Sequence, residues 1–150
     1  MKAALVAIIA LSPLLQAGDP GSRVLYMGGT ASGVPAKSTA RIAVNEEEAL
    51  TLRCKNHSFT IPYRNINTLE YGLRVSRRYI EAVVISPAFL FAKKKTHYLT
   101  IGYSDADGNQ QAVVLEVNKD DIRPLLVSLE ARTGRRVEFQ DEEARKAGKG

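Results

Sequence analysis

Between residues 39 and 117 the sequence repeats one pattern: short runs of alternating apolar and polar side chains, separated by turn-forming residues. The clearest runs are ARIAV, ALTLRC, FTIPY, INTLEYGLRV, HYLTIGY and QQAVVLEV. Because successive side chains of a β-strand point to opposite faces, this period of two predicts strands with one buried face each. The turn residues between the runs favour antiparallel pairing of neighbouring strands. The chain is therefore predicted to fold mainly as an antiparallel sheet.

The best-defined pairing joins HYLTIGY to QQAVVLEV. The segment between them contains Asp107 and Gly108, which are residue types that tolerate positive φ in a tight turn. We therefore predict a hairpin whose core-facing residues are Leu99, Ile101, Tyr103, Val113, Leu115 and Val117.

After residue 118 the apolar period changes from two to 3.6. The residues that recur at this spacing, and so predict an amphipathic helix with one apolar stripe, are Ile122, Leu125, Leu126 and Leu129. Asp120 or Asp121 is expected to cap the start of this helix, and Gly134 suits its C-terminal end. The stripe would cover the strands, which gives a mainly β (β+α) fold: a bent antiparallel sheet or small barrel capped by a C-terminal helix.

The first 17 residues have the layout of a secretory signal peptide. Lys2 precedes the apolar run Ala3–Leu11, and the small residue Ala17 stands before Gly18. A run of nine apolar residues is much shorter than the ~20 that cross a bilayer, so a permanent anchor is not favoured. We expect cleavage after Ala17, export to the periplasm or the medium, and no transmembrane span in the mature chain.

The remaining 133 residues suffice for one domain with a core. Residues 18–38 are rich in turn-forming types and are predicted to be an N-terminal extension, in which RVLYM forms an edge strand or packs against the domain. Residues 39–139 form the domain. Residues 140–150 carry mixed charge and no aliphatic side chain larger than alanine, so a disordered tail is expected.

The positive charge is concentrated in one stretch. The chain has a formal net charge of +5, yet residues 72–97 alone hold six cations and one anion, Glu81. The cations are the predicted ligand- or membrane-binding site: Arg74, Arg77, Arg78, Lys93, Lys94 and Lys95.

The basic residues bracket the mostly apolar segment 79–92, whose period does not distinguish helix from strand. One interpretation is ordinary core followed by a solvated turn. The other is an apolar insert with a basic collar, which docks on an anionic membrane surface or on an acidic protein partner. Nucleic acid is not an expected partner, because the cluster lacks regularly spaced aromatic side chains for base stacking.

Catalysis is the alternative function, and it would depend on Cys54, which is the single cysteine. A thiol- or metal-dependent envelope enzyme could use Cys54 with His57 or His97. However, Cys54 ends an alternating run and is better explained as a small buried hydrophobe, and His57 belongs to the following turn. We therefore expect no enzymatic activity, no catalytic residues, no metal and no cofactor.

The order of the elements resembles that of the bacterial pleckstrin-homology-like (PH/GRAM-like) domains. The resemblance covers residues 39–137 and is carried by LTLRCKNHSFTIPYRNINTLEYG, KKKTHYLTIGYSDADGNQQAVVLEV and DIRPLLVSLEARTG. It implies a small barrel closed by a C-terminal helix, and a binding or scaffolding module rather than an enzyme.

Lipid binding is not carried over with this resemblance. Eukaryotic lipid-binding members place basic residues between their first two strands, where TASGVPAKSTAR has only Lys37 and Arg41. A contact surface must therefore be argued from the residues of this chain. The sequence predicts an exported, non-catalytic binding or scaffolding module of the bacterial cell envelope.

Overall fold

The computed structural model describes residues 21–30, 33–76, 78 and 96–149. The predicted signal peptide and the segment 79–92 lie outside these residues. The strands are β1 (Ser22–Gly29), β2 (Ser38–Ala43), β3 (Ala49–Cys54), β4 (His57–Pro62), β5 (Ile66–Gly72), β6 (His97–Ser104), β7 (Gln110–Val117) and β8 (Glu138–Phe139). A single turn of 3₁₀ helix, Tyr63–Asn65, joins β4 to β5, and the helices α1 (Lys119–Thr133) and α2 (Glu142–Lys149) follow β7 and β8.

These strands form one sheet in the order β4-β3-β2-β1-β7-β6-β5-β8. Neighbours are antiparallel except β5 and β8, which pair in parallel through two residues each. The predicted mainly β fold with a C-terminal helix is confirmed. The sheet is mixed and open, with β4 and β8 at its edges, so it does not close into a barrel.

A short connection forces this sheet to curl. β4 ends at Pro62 and β5 begins at Ile66, although six strand spacings separate the two strands in the sheet. A flat sheet would hold them about 29 Å apart, whereas four residues span at most about 14 Å. The two edges must therefore bend toward each other, which gives the sheet a concave and a convex face.

The main core fills the concave face. The predicted hairpin is present, with Leu99 opposite Leu115 and Ile101 opposite Val113, and Gly108 takes a φ of 83° in its turn. The apolar stripe of α1 completes this core, as predicted, through Ile122, Leu125, Leu126 and Leu129, which are all buried.

The start of α1 differs from the prediction. Its N-cap is Asn118, whose side chain makes no capping hydrogen bond, and Asp120 and Asp121 lie in the first turn instead. Carboxylates there still interact favourably with the positive end of the helix dipole. Pro124 consequently lies inside the helix. At the other end Gly134 is the left-handed C-cap, with a φ of 67°, as predicted.

The strand containing RVLYM is an interior strand, where an edge strand or a segment packed against the domain was expected. β1 pairs with β2 on one side and with β7 on the other. Tyr26 is buried in the concave core, and its neighbour Met27 is buried in a separate cluster. Apolar side chains toward both faces are typical of a strand covered on both sides, which explains the weak alternation of this run.

Residues 142–149 form a packed helix, where a disordered tail was expected. Ala144 is fully buried, and a β-carbon added to Gly148 would lie 2.6 Å from the ring of Phe139 and 3.1 Å from that of Tyr71. The carboxylate of Asp141 accepts a hydrogen bond from the Ala144 amide at 2.7 Å and so caps the helix. Small residues allow this close approach, and their lack of large aliphatic groups is the reason that the sequence pattern did not reveal the helix.

Candidate functional site

Two of the six predicted basic residues, Arg74 and Arg78, belong to the described part of the chain. Arg77 and Lys93 to Lys95 lie outside it. Arg74 is exposed, and its backbone carbonyl accepts a hydrogen bond from the Gln140 side chain at 2.8 Å. The side chain of Arg78 is 61% exposed, but its Nη2 lies 2.7 Å from Glu70 Oε2 and 3.7 Å from Glu138 Oε2. Part of the charge of Arg78 is therefore offset inside the protein.

Glu70 anchors Arg78 to the sheet. Its side chain is only 7% exposed, and it points to the convex face because its neighbours Leu69 and Tyr71 point into the concave core. Its second carboxylate oxygen accepts a hydrogen bond from Gln140 Nε2 at 3.1 Å. A buried carboxylate is costly unless it is paired and hydrogen-bonded, so Arg78 and Gln140 stabilise the fold at this point.

The chain that follows β5 lies against the convex face. Val75 packs against a buried cluster contributed by β1, β6 and β7, whose members are Met27, Tyr98, Ala112 and Val114. Together with the Glu70–Arg78 pair, this contact fixes the beginning of the predicted basic patch on that face.

A second basic feature crosses the other half of the convex face, and sequence reasoning missed it. Arg23 of β1 pairs with Arg41 of β2, and Arg41 pairs with Arg53 of β3. Directly paired residues project from the same face, and neighbouring strands lie about 4.8 Å apart. We call these three residues the arginine row. They are the only Arg, Lys, Asp or Glu residues in the described strands β1 to β4.

The surroundings of the arginine row include exposed hydroxyl groups. Thr39 of β2 is exposed, and so are Ser58 and Thr60 of β4, the strand next to β3. Arg41 Nη1 donates to the carbonyl of Gly21 at 3.2 Å, and within the described residues no carboxylate forms a salt bridge with Arg23 or Arg41. The sequence signal was one arginine at a polar position of each run. Only the strand register shows that the three arginines lie next to one another on one face of the sheet.

The residues of the alternative enzyme hypothesis lie in two places. Cys54 is directly opposite His57 at the end of the β3–β4 hairpin, which places them closer than the sequence suggested. Yet no hydrogen bond joins their side chains in the described structure, and burial raises the pKa of the Cys54 thiol. A raised pKa favours the protonated thiol over the thiolate that nucleophilic catalysis requires. No group of three potential metal-binding side chains occurs among the residues that the structure describes.

His97 belongs to a separate contact. It is four strand spacings from Cys54 along the sheet, and its Nδ1 lies 2.5 Å from the hydroxyl of Tyr71. The two rings stack with centroids 5.9 Å apart. Burial, followed by the nearby charge of Lys119, lowers the pKa of His97, whereas burial raises the pKa of Tyr71 to about 12. A neutral imidazole therefore accepts the hydrogen bond that the Tyr71 hydroxyl donates.

This lowered pKa predicts a loss of stability in mild acid. The unfolded chain takes up a proton at His97 near the ordinary histidine pKa of about 6.5, and the folded chain does so only at lower pH. The stability contributed by the neutral His97 is therefore complete above the unfolded-state pKa and is lost as the pH falls through the lowered folded-state pKa. Over this interval the free energy of unfolding changes by at most about 1.4 kcal/mol per pH unit. Urea unfolding of His97→Gln between pH 7.5 and 5 should show a shallower decline than the wild type.

The matched control is His57→Gln, because His57 is exposed on the β3–β4 hairpin. At pH 7.5 this variant should match the stability of the wild type to within about 0.5 kcal/mol, as expected for an exposed side chain. If the curves of His97→Gln and of the wild type run parallel, the buried imidazole is not the source of the acid sensitivity.

No protein-family model and no curated protein matches this sequence. Across the described residues, none of the helices combines the length and apolar character that crossing a bilayer requires.

Proposed function

We propose that this chain is an exported, non-catalytic binding and scaffolding module of the bacterial cell envelope, located in the periplasm or secreted and peripheral to the membrane. Its proposed ligand is an anionic lipid surface, contacted through the basic patch of Arg74, Arg77, Arg78 and Lys93 to Lys95. We also propose that the fold is PH/GRAM-like.

The strand order supports the proposed fold. Strands β1 to β4 follow one another across one half of the sheet, and β5 to β7 return to β1 across the other half. The helix α1 then packs its apolar stripe into the concave face between the halves. This succession agrees with the bent sheet and closing helix that the resemblance implies, and β8 and α2 are additions to it.

The observation that carries the proposed function is the placement of the start of the basic patch. Arg74 is exposed, while Val75 and Arg78 hold the chain on the convex face through the buried cluster and Glu70. The described beginning of the proposed patch is thus attached to a fixed surface of the domain, which supports the proposal. Each basic residue near an anionic leaflet contributes about 1 kcal/mol, and the contribution of Arg78 is reduced because it shares its charge with Glu70 and Glu138.

Co-sedimentation with lipid vesicles tests this proposal. The exported protein should bind phosphatidylglycerol vesicles and not phosphatidylcholine vesicles. Replacing the three lysines together (Lys93→Gln, Lys94→Gln, Lys95→Gln) should weaken binding by about tenfold or more.

The control removes the same number of charges elsewhere, with Arg135→Gln, Arg136→Gln and Lys146→Gln, which are all exposed. Equal binding of the lysine variant and the wild type would contradict the basic patch as the lipid contact. Binding to an acidic protein without binding to vesicles would assign the patch to the other partner class.

A further inference from the structure

We propose that the arginine row, Arg23, Arg41 and Arg53, is a second binding site, and that it holds a linear acidic polysaccharide. This inference goes beyond the lipid contact, because the row lies on β1 to β3, whereas the basic patch follows β5.

The like-charge pairing within the row does not stabilise the sheet. Like charges directly opposite each other on neighbouring strands are destabilising, and Arg41 faces an arginine on both sides. Threonine, which already occupies exposed positions 39 and 60, is a better strand former and would avoid the repulsion. Residues that lower stability in this way are commonly retained for binding.

The geometry of the row favours an extended ligand. With strands about 4.8 Å apart, the bases of the three side chains cover about 10 Å along a line across the strands. A guanidinium group binds a carboxylate, sulfate or phosphate through two parallel hydrogen bonds. Arg41 uses one N–H for the Gly21 carbonyl, and this contact restrains the central side chain. A ligand with successive acidic groups along one direction matches this arrangement better than a single small anion.

The polar neighbours favour a polysaccharide among the linear polyanions. The exposed hydroxyl groups of Thr39, Ser58 and Thr60 border the row and can exchange hydrogen bonds with sugar hydroxyls. Non-specific binding of single-stranded nucleic acid uses aromatic stacking platforms, but Tyr26 and Phe59, the aromatic residues of the described strands β1 to β4, pack with the concave core.

A membrane and an acidic peptide fit the row less well. Membrane insertion uses exposed large apolar side chains, and the one found among the described residues is Val127 of α1, whose helix packs on the opposite face of the sheet. Extended peptides commonly add to an unpaired strand edge, whereas the row crosses the face of β1 to β3, and all three of these strands lie inside the sheet.

The test measures affinity for polygalacturonate fragments by calorimetry, with neutral dextran as the uncharged reference. The exported protein should bind polygalacturonate and not dextran. The triple variant Arg23→Gln, Arg41→Gln, Arg53→Gln should bind about tenfold more weakly or worse, as expected for the loss of three charge contacts. The charge-matched variant Arg135→Gln, Arg136→Gln, Lys146→Gln should change the affinity by less than about twofold, because those residues lie outside the row.

Two further variants distinguish recognition by the guanidinium groups from attraction by positive charge alone, and loss of binding from loss of folding. Arg23→Lys, Arg41→Lys, Arg53→Lys keeps the charge and removes the planar guanidinium fork, so affinity should fall several-fold. Affinity equal to that of the wild type would contradict recognition by the guanidinium groups. The single variant Arg41→Gln should unfold at the same or a higher urea concentration than the wild type because it removes both like-charge contacts, and it should still lose affinity.

The remaining outcomes concern the kind of ligand. If the glutamine triple variant loses binding to phosphatidylglycerol vesicles or to polyglutamate while polygalacturonate binding is unchanged, the polysaccharide assignment is overturned. Equal losses in the triple variant and in its charge-matched control overturn it as well. The lysine variant at positions 93 to 95 should keep its affinity for polygalacturonate, so failure of the lipid proposal and failure of this one give different results.

Discussion

We expect Leu129→Ala to lower the free energy of unfolding by about 2–5 kcal/mol, because it removes buried methyl groups and leaves a cavity between α1 and the sheet. Leu129 is fully buried in the main core with Leu125 and Leu126 of the same helix. Without α1 the concave face of the curled sheet would be open to solvent. Weaker packing between α1 and the sheet therefore destabilises the whole main core. Urea unfolding followed by circular dichroism measures the effect.

The control for this prediction lies two residues away on the same helix. Val127 is 66% exposed, so Val127→Ala should change stability by less than about 0.5 kcal/mol. Both variants should keep the wild-type dependence of free energy on urea concentration, which reports the surface exposed on unfolding. Similar small effects at both positions would show that α1 does not seal the concave face.

The second large effect is expected for Arg78→Ala. After this change the buried carboxylate of Glu70 keeps the hydrogen bond from the side-chain amide of Gln140, at 3.1 Å, but loses its ion pair. An uncompensated buried charge is strongly destabilising, but Arg78 is itself largely exposed, so we expect a loss of about 1–3 kcal/mol. Thermal and urea unfolding should both detect it.

Arg74→Ala provides the comparison, since the Arg74 side chain is exposed and its contact to Gln140 uses the backbone carbonyl. Its effect on stability should stay within about 0.5 kcal/mol. Adding Glu70→Gln to Arg78→Ala should recover part of the loss, because an unpaired amide is less costly to bury than an unpaired carboxylate. If Arg78→Ala is as harmless as Arg74→Ala, the ion pair of Arg78 with Glu70 does not stabilise the fold.

The sequence was sufficient for elements whose pattern is local. The alternation in β6 and β7, the Asp107-Gly108 turn and the 3.6-residue stripe of α1 each occur within a few consecutive residues, and the structure has them where they were predicted. The helix α2 was missed because its packing depends on the small size of Ala144 and Gly148, whereas hydrophobic patterns detect large apolar side chains.

Features that depend on pairing between distant strands could not be predicted in the same way. The interior position of β1 follows from its contacts with β2 and β7, and the latter lies far along the chain. The arginine row likewise requires the register of three strands, since a shift of one residue in any strand would move its arginine to the other face. The proposed basic patch could be inferred because its members cluster in the sequence. That clustering did not predict the ion pair between Arg78 and Glu70.

The interior place of β1 also determines how late in synthesis its backbone pairing can be completed. One neighbour, β2, follows directly, but the other, β7, ends at Val117, which pairs with Val24. A growing or translocating chain that has not reached residue 117 therefore holds its first strand with one row of backbone amides and carbonyls unpaired. Such late, long-range pairing is slow to form, and strand edges left open in the meantime promote aggregation. Under the proposed export, this favours delivery of the whole chain before folding begins.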